Sequence, residues 1–256
     1  MPIINVNGVR INIEDTGEGP PLILLHGLGG SNLYWKSEIT QLKEHHRVIA
    51  PDSRGQGKSE KVSNYTLCDH INDTLAIIDK LNIKSCFLLG ISAGSYIAQG
   101  VAIAAPNRVK KLILVAPKSH GDTSSTQLFF EKHRENIKGL NEQEKQKYLY
   151  KHIYYNQETI SKSPFFAAQE QLPVEQFEAA NRALIGFDFR SKLSRITAKT
   201  LVVSGRHDIL NSSDAGRECA TLIPNATFIE MDKSGHGPNV EEPEHFMKIV
   251  KNFLKD

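Results

Sequence analysis

Apolar residues along the first part of this chain fall into two alternating patterns. Short, largely apolar runs at residues 22–25, 47–50 and 85–89 are typical of strands that are covered on both faces of a sheet. Between the second and third runs, residues 66–81 carry apolar side chains at every third or fourth position, so that one stripe of a helix is apolar. This alternation predicts a mostly parallel sheet flanked by helices.

The rest of the core follows the same two patterns. Residues 3–6 and 10–14 predict a hairpin with Asn7-Gly8 as its turn. Further strands are predicted at 109–115, 200–204 and 226–231, and further helices at 34–44, 93–105, 212–223 and 242–255. We therefore expect an α/β protein with a central sheet of about eight strands.

The pattern changes between residues 118 and 190. Strand-like runs disappear, and polar, helix-favouring sequence interrupted by prolines takes their place. This stretch predicts a helical cap, with residues 1–117 and 191–256 forming the core domain. The cap is rich in aromatic residues, most of which we expect to pack against one another. The adjacent pairs Tyr154-Tyr155 and Phe165-Phe166 are the candidates to line a substrate pocket.

Composition narrows the class of partner. The chain has 256 residues and a formal net charge of +2, with its Lys and Arg residues scattered along the sequence. Such scattering argues against a nucleic acid or a membrane as partner, so we expect a small-molecule substrate. The three cysteines are widely spaced and indicate reduced thiols. We expect a cytoplasmic protein that is a monomer or a homodimer.

The segment Gly90-Ile91-Ser92-Ala93-Gly94 matches G-x-S-x-G between a predicted strand and a predicted helix. A serine at the apex of so tight a turn takes a strained backbone conformation, and glycine two positions away on either side lets the flanking backbones approach. The turn projects the hydroxyl above the sheet. The sequence therefore predicts Ser92 as a nucleophile.

A serine hydroxyl needs a base to take its proton, and the base needs a carboxylate to orient it. Asp208 and His236 each follow a predicted strand, at the edge where parallel sheets hold their sites. Asp122, which follows the strand at 109–115, is the alternative acid. The chain order Ser, Asp, His is that of the α/β-hydrolases.

Three further segments resemble that superfamily. Residues 24–30 are similar to its oxyanion loop, residues 52–59 to its D-x-R-G-x-G-x-S turn, and residues 235–243 to its terminal G-H-x(5)-E-P segment. The resemblance covers nearly the whole chain and points to the small carboxylesterase and 3-oxoadipate enol-lactonase branch. It implies that the N–H groups of Leu28 and Ala93 form the oxyanion hole. His26 is a candidate binding residue there, or braces the oxyanion loop through a hydrogen bond.

The implied activity is hydrolysis of a small carboxylic ester or lactone through an acyl-enzyme, without a cofactor. The same scaffold serves C–C bond hydrolases and cofactor-free perhydrolases, so these remain alternatives. A slow-turnover signalling or receptor-type member is the alternative from another class. We expect no metal, because the triad already uses two of the four residues His26, His207, Asp208 and His236 that could be grouped as ligands.

Overall fold

The computed structural model of the protein describes residues 2–162 and 172–255. Its central sheet has eight strands in the order β1-β2-β4-β3-β5-β6-β9-β10. The first two pairings, β1 with β2 and β2 with β4, are antiparallel, and the remaining pairings are parallel. The bounds of these strands are β1 Ile3–Val6, β2 Val9–Thr16, β3 Pro21–Leu25, β4 Arg47–Pro51, β5 Cys86–Ile91, β6 Val109–Val115, β9 Lys199–Gly205 and β10 Ala226–Met231. The expected fold class is confirmed.

Helices connect the strands and cover both faces of the sheet. Those of the core are α1 Lys36–Leu42, α2 Leu67–Lys80, α3 Ala93–Ala104, α8 Ser213–Leu222, α9 Pro238–Glu241 and α10 Pro243–Lys255. The start of α2 shows how the sequence sets such a boundary. The Thr66 hydroxyl accepts from the N–H of Asp69, and the Asp69 carboxylate accepts from the N–H of Thr66, which satisfies two N–H groups at the helix start.

The helix predicted at 34–44 is in fact two elements. A 3-10 turn, Asn32–Trp35, precedes α1. Asn32, Tyr34 and Trp35 are buried and only Leu33 is exposed, so most of this turn packs inside the protein. The amphipathic stripe that a surface helix needs begins only with α1.

The sheet separates two apolar cores because successive strand residues point to opposite faces. Leu88 and Leu112 pack in the same core as Val101 of α3. Their neighbours Leu89 and Ile113 pack in the other core, which contains Phe246 of α10. Burial on both faces explains why these strands lack an alternating pattern.

The segment between β6 and β9 begins and ends with a two-residue strand. These strands, β7 His120–Gly121 and β8 Phe187–Asp188, pair antiparallel with each other. The expectation that strands are lacking between residues 118 and 190 is therefore wrong, because so short a strand leaves no periodicity in the sequence. The described helices between them are α4 Ser125–Lys132, α5 Glu142–Ile153, α6 Gln157–Lys162 and α7 Val174–Arg182. The division into a core and a cap domain stays a prediction.

The structure also describes the state of the cysteines and the length of the apolar helices. Cys68, Cys86 and Cys219 are free thiols, as the spacing of the cysteines predicted. Within the described ranges, no helix is both long enough and apolar enough to cross a membrane.

Candidate active site

Ser92 occupies a strained turn between β5 and α3. Its backbone lies at φ 52° and ψ −121°, a conformation that residues other than glycine rarely adopt. A Cβ atom added to Gly90 would lie 2.2 Å from the carbonyl oxygen of Gly94, and one added to Gly94 would lie 2.0 Å from the carbonyl oxygen of Leu25. Both positions therefore require glycine, and the tight turn holds Ser92 at the carboxyl end of the sheet.

His236 is hydrogen-bonded to Asp208. Its Nδ1 lies 2.8 Å from Oδ2 of the carboxylate, and both side chains are buried. The other oxygen of Asp208 accepts the N–H groups of Leu210 at 2.8 Å and Asn211 at 3.0 Å, so the carboxylate is held from two sides. The alternative acid, Asp122, is exposed. The structure thus pairs the histidine with Asp208.

Ser92 and His236 line one cleft, which encloses about 580 Å³ including its opening to solvent. No hydrogen bond joins the Ser92 hydroxyl to the imidazole in the described structure. Such bonds are often long in substrate-free enzymes and shorten around a bound substrate. The other residues that line the cleft are Gly27, Leu28, Gly30, Tyr34, Ile91, Thr126, Leu149, Tyr150, Ile153, Tyr154 and Leu210.

The loop after β3 passes directly beside Ser92. A Cβ atom added to Gly27 would lie 3.4 Å from the Cβ of Ser92, and Leu28 lines the cleft. Ala93 is the first residue of α3, so its N–H has no acceptor within that helix. The N–H of Leu28 has no hydrogen-bond acceptor in the described parts of the chain. Both candidate N–H groups therefore lack an acceptor within their own segments of the described structure.

The turn at residues 52–59 fixes this loop from behind. The N–H of Gly29 donates to Gln56 Oε1 at 2.7 Å, and the N–H of Asn32 donates to Asp52 Oδ1 at 2.6 Å. The turn is itself held by Arg54, which forms a buried two-bond ion pair with Asp73 of α2. The segment that resembles a family turn in the sequence thus positions the loop that follows β3.

Residues 20–172 match the sequence model of the alpha/beta hydrolase fold family. The chain belongs to this family. Among curated proteins, the putative carbamate hydrolase RutD of Pseudomonas syringae pv. syringae is 27% identical over 248 residues, which are 93% of this chain and 94% of that protein. The protein with the same name from Serratia proteamaculans is 27% identical over 253 residues, 94% of this chain and 93% of that protein.

Solved structures show the same fold. The enol-lactonase from Burkholderia xenovorans LB400 has a TM-score of 0.86 at 24% identity, and the match covers 100% of both chains. A thermophilic esterase from Thermogutta terrifontis has a TM-score of 0.84 at 24% identity over 99% of this chain and 96% of that chain. The overall architecture of this α/β-hydrolase is thus shared along its whole length.

In this α/β-hydrolase His26 braces the loop that follows β3 through two hydrogen bonds. The N–H of Ser53 can only donate, so His26 Nε2 accepts its hydrogen bond at 2.9 Å. Nδ1 then carries the proton and donates to the carbonyl oxygen of Gly27 at 2.7 Å. Burial lowers the pKa of His26, which keeps the ring neutral in this role. His26 is not among the described residues that line the cleft, and its contact with a substrate stays a prediction.

The side chains of the two adjacent tyrosines of the α/β-hydrolase lie in different places. Tyr154 lines the cleft and is buried, whereas Tyr155 is 56% exposed and stacks on His207 with the ring centroids 3.8 Å apart. The backbone is extended at Tyr154, and successive side chains of an extended segment point in opposite directions. Tyr155 therefore lies outside the cleft. The other candidate pair, Phe165 and Phe166, lies outside the described residues.

Glu241 is a positioning residue that sequence reasoning missed. One carboxylate oxygen accepts the N–H groups of Gly235 at 2.8 Å and Gly237 at 3.1 Å, on either side of His236. The other oxygen accepts those of Tyr155 at 2.7 Å and Asn156 at 2.9 Å, just after α5. One buried side chain thus ties the histidine loop to the segment that follows α5. Glu241 lies in the terminal G-H-x(5)-E-P segment, but at an unspecified position next to the glutamate of the motif, Glu242.

Proposed function

We propose that this α/β-hydrolase cleaves small carboxylic esters or lactones through an acyl-enzyme formed on Ser92. One observation carries the proposal: the histidine that shares a cleft with the strained Ser92 has its Nδ1 hydrogen-bonded to Asp208. That bond places the proton on Nδ1 of the neutral ring and leaves Nε2 as the base.

In the first step, Ser92 Oγ forms a bond to the acyl carbon while His236 Nε2 takes the hydroxyl proton. The N–H groups of Leu28 and Ala93 stabilise the negative oxygen of the tetrahedral intermediate. Its collapse breaks the bond to the leaving alcohol, which receives the proton from His236. Water then attacks the acyl-enzyme with the same histidine as base, and the carboxylic acid leaves. The reaction needs no cofactor.

The walls of the cleft support a small, uncharged acyl group. Its described lining is mainly aliphatic and aromatic, with side chains such as Leu149, Ile153 and Leu210. An apolar wall favours an apolar acyl chain and makes a charged one costly to bury. The relatives named putative carbamate hydrolases add carbamates as a second substrate class, because a carbamate presents the same kind of acyl carbon.

A panel of p-nitrophenyl esters of increasing acyl length, with one p-nitrophenyl carbamate, tests the proposal. We expect multiple turnovers that are fastest with short acyl chains and are abolished by Ser92→Ala. The matched control is Ser194→Ala, because Ser194 is exposed and is not among the residues that line the cleft. A Ser92→Ala variant that retains the wild-type rate would overturn the proposal. A single turnover followed by a stable acyl-enzyme would instead favour the receptor-type alternative.

A further inference from the structure

Three buried polar side chains connect the cleft to the interior of the protein. The Tyr34 hydroxyl donates to Asn239 Oδ1 at 2.7 Å, and Asn239 Nδ2 donates to Glu38 Oε1 at 3.0 Å. Tyr34 is 8%, Asn239 2% and Glu38 3% exposed. Buried polar groups carry a large penalty when a partner is lost, so the three positions depend on one another.

These three side chains, the Tyr34–Asn239–Glu38 relay, reach the candidate active site at two points. Tyr34 forms part of the cleft wall together with Ser92 and His236. Asn239 lies three residues after His236, on the short helix α9. Glu38 lies in the first turn of α1 and does not line the cleft itself; its hydrogen bond to the Asn239 amide connects it to both points.

We propose that Glu38 is a positioning residue for the reaction at Ser92, acting through Asn239 to hold the Tyr34 wall and the segment that follows His236. The inference rests on the proposed function and adds a residue that no motif marks. Glu38 itself does not line the cleft, so any effect on the reaction passes through its two partners.

The surroundings of Glu38 determine whether its carboxyl group is neutral or ionised when it accepts the hydrogen bond from Asn239. In the described part of the chain no Lys, Arg or His forms an ion pair with Glu38. Burial raises the pKa of Glu38 to about 7, although the hydrogen bond from Asn239 lowers it. The neutral acid is therefore the favoured form below neutral pH, and it accepts the Asn239 bond without burying a charge.

The titratable groups described around the relay supply no positive charge that would neutralise an ionised Glu38. Burial, and then the charge of Glu38, raise the pKa of Tyr34, and burial raises those of Tyr154 and Glu241. On α10, which packs in the same core as α1, the Lys251 ammonium donates to Gln41. Ionisation of Glu38 above neutral pH thus adds an uncompensated negative charge beside the relay.

The pH dependence of Ser92 reactivity tests the inference. We would measure kcat/KM on a short ester, and the rate at which a fluorophosphonate labels Ser92, between pH 5 and 9. Wild type should show a decline with a midpoint near pH 7, where Glu38 ionises. Glu38→Gln, which has the same shape and never ionises, should match wild type at pH 6 and lack the decline. The control Glu44→Gln, at an exposed glutamate just after α1, should keep the wild-type profile.

A second variant separates positioning from simple occupancy of space. Glu38→Ala leaves Asn239 without its acceptor, so labelling should slow by at least about tenfold at every pH, and the Gln variant should restore it.

The melting temperature gives a readout that is independent of activity. Because the folded-state pKa lies above the unfolded value, stability falls as the pH rises from about 4.5 to about 7. Glu38→Gln should therefore melt about 5 °C above wild type at pH 8 and close to it at pH 5.

The outcomes keep this inference apart from the proposed function. If wild type neither turns over esters nor is labelled at Ser92, the proposed function fails. If wild type reacts but Glu38→Gln shares its pH profile, or loses as much activity as Glu38→Ala, then Glu38 is not the positioning residue and this inference alone is overturned.

Discussion

The backbone N–H of Gly29 donates a 2.7 Å hydrogen bond to Oε1 of Gln56. The bond holds the residue next to Leu28, whose N–H is the proposed second donor to the oxyanion. Replacement of Gln56 by Met keeps the length of the side chain and removes the acceptor. We expect kcat to fall by about ten- to a hundredfold with little change in KM, since loss of a whole oxyanion donor costs about 10²- to 10³-fold.

Steady-state kinetics on a short p-nitrophenyl ester measure this effect. Gln41→Met is the matched control, because Gln41 accepts a half-buried hydrogen bond from Lys251 and does not line the cleft. An unchanged kcat for Gln56→Met would show that the bond does not position the oxyanion loop.

Replacement of Asp208 by Asn should lower kcat by about 10⁴-fold. The amide can donate to His236 Nδ1, which moves the ring proton to Nε2 and removes the base. Asp122→Asn is the control, because Asp122 is exposed and also follows a strand of the sheet. If Asp122→Asn abolished turnover and Asp208→Asn did not, the assignment of the acid would be reversed.

Glu241→Gln should destabilise the fold by about 1–3 kcal/mol. The carboxylate accepts four backbone N–H groups, two on each oxygen, and the amide nitrogen of Gln can accept none of them. One pair of buried donors would thus lose its acceptor. Urea denaturation measures the loss, with Glu244→Gln at an exposed position of α10 as the control. Equal midpoints for the two variants would show that the four hydrogen bonds to Glu241 do not stabilise the fold.

Asp73→Ala should destabilise the fold by about 3–5 kcal/mol. It leaves the buried guanidinium of Arg54 without its ion-pair partner, which costs more than the pair itself contributes. Asp79→Ala on the same helix removes the exposed partner of Arg108 and should cost far less. Thermal and urea unfolding of both variants compare the two pairs. A small loss for Asp73→Ala would mean that water reaches Arg54 readily.

Local sequence was enough to predict most of the elements. The strands at 109–115 and 226–231 agree with the structure at both ends, and helix α3 is predicted to within one residue. The strained turn at Ser92 was also visible, because a strand, two glycines and a helix within a few residues define it. Hydrophobic periodicity and the steric demands of a tight turn act over short distances, so the sequence alone determines them.

Tertiary structure decided which of these residues meet. Asp208 follows the parallel strand β9, whereas Asp122 follows β6 and the short antiparallel strand β7, and only the tertiary fold decides which carboxylate reaches His236. The split between Tyr154 and Tyr155, like the relay from Glu38 to Tyr34, depends on segments that are distant in the chain. Contacts of that kind depend on the register of the strands and on the packing of whole elements, which no local pattern of residues encodes.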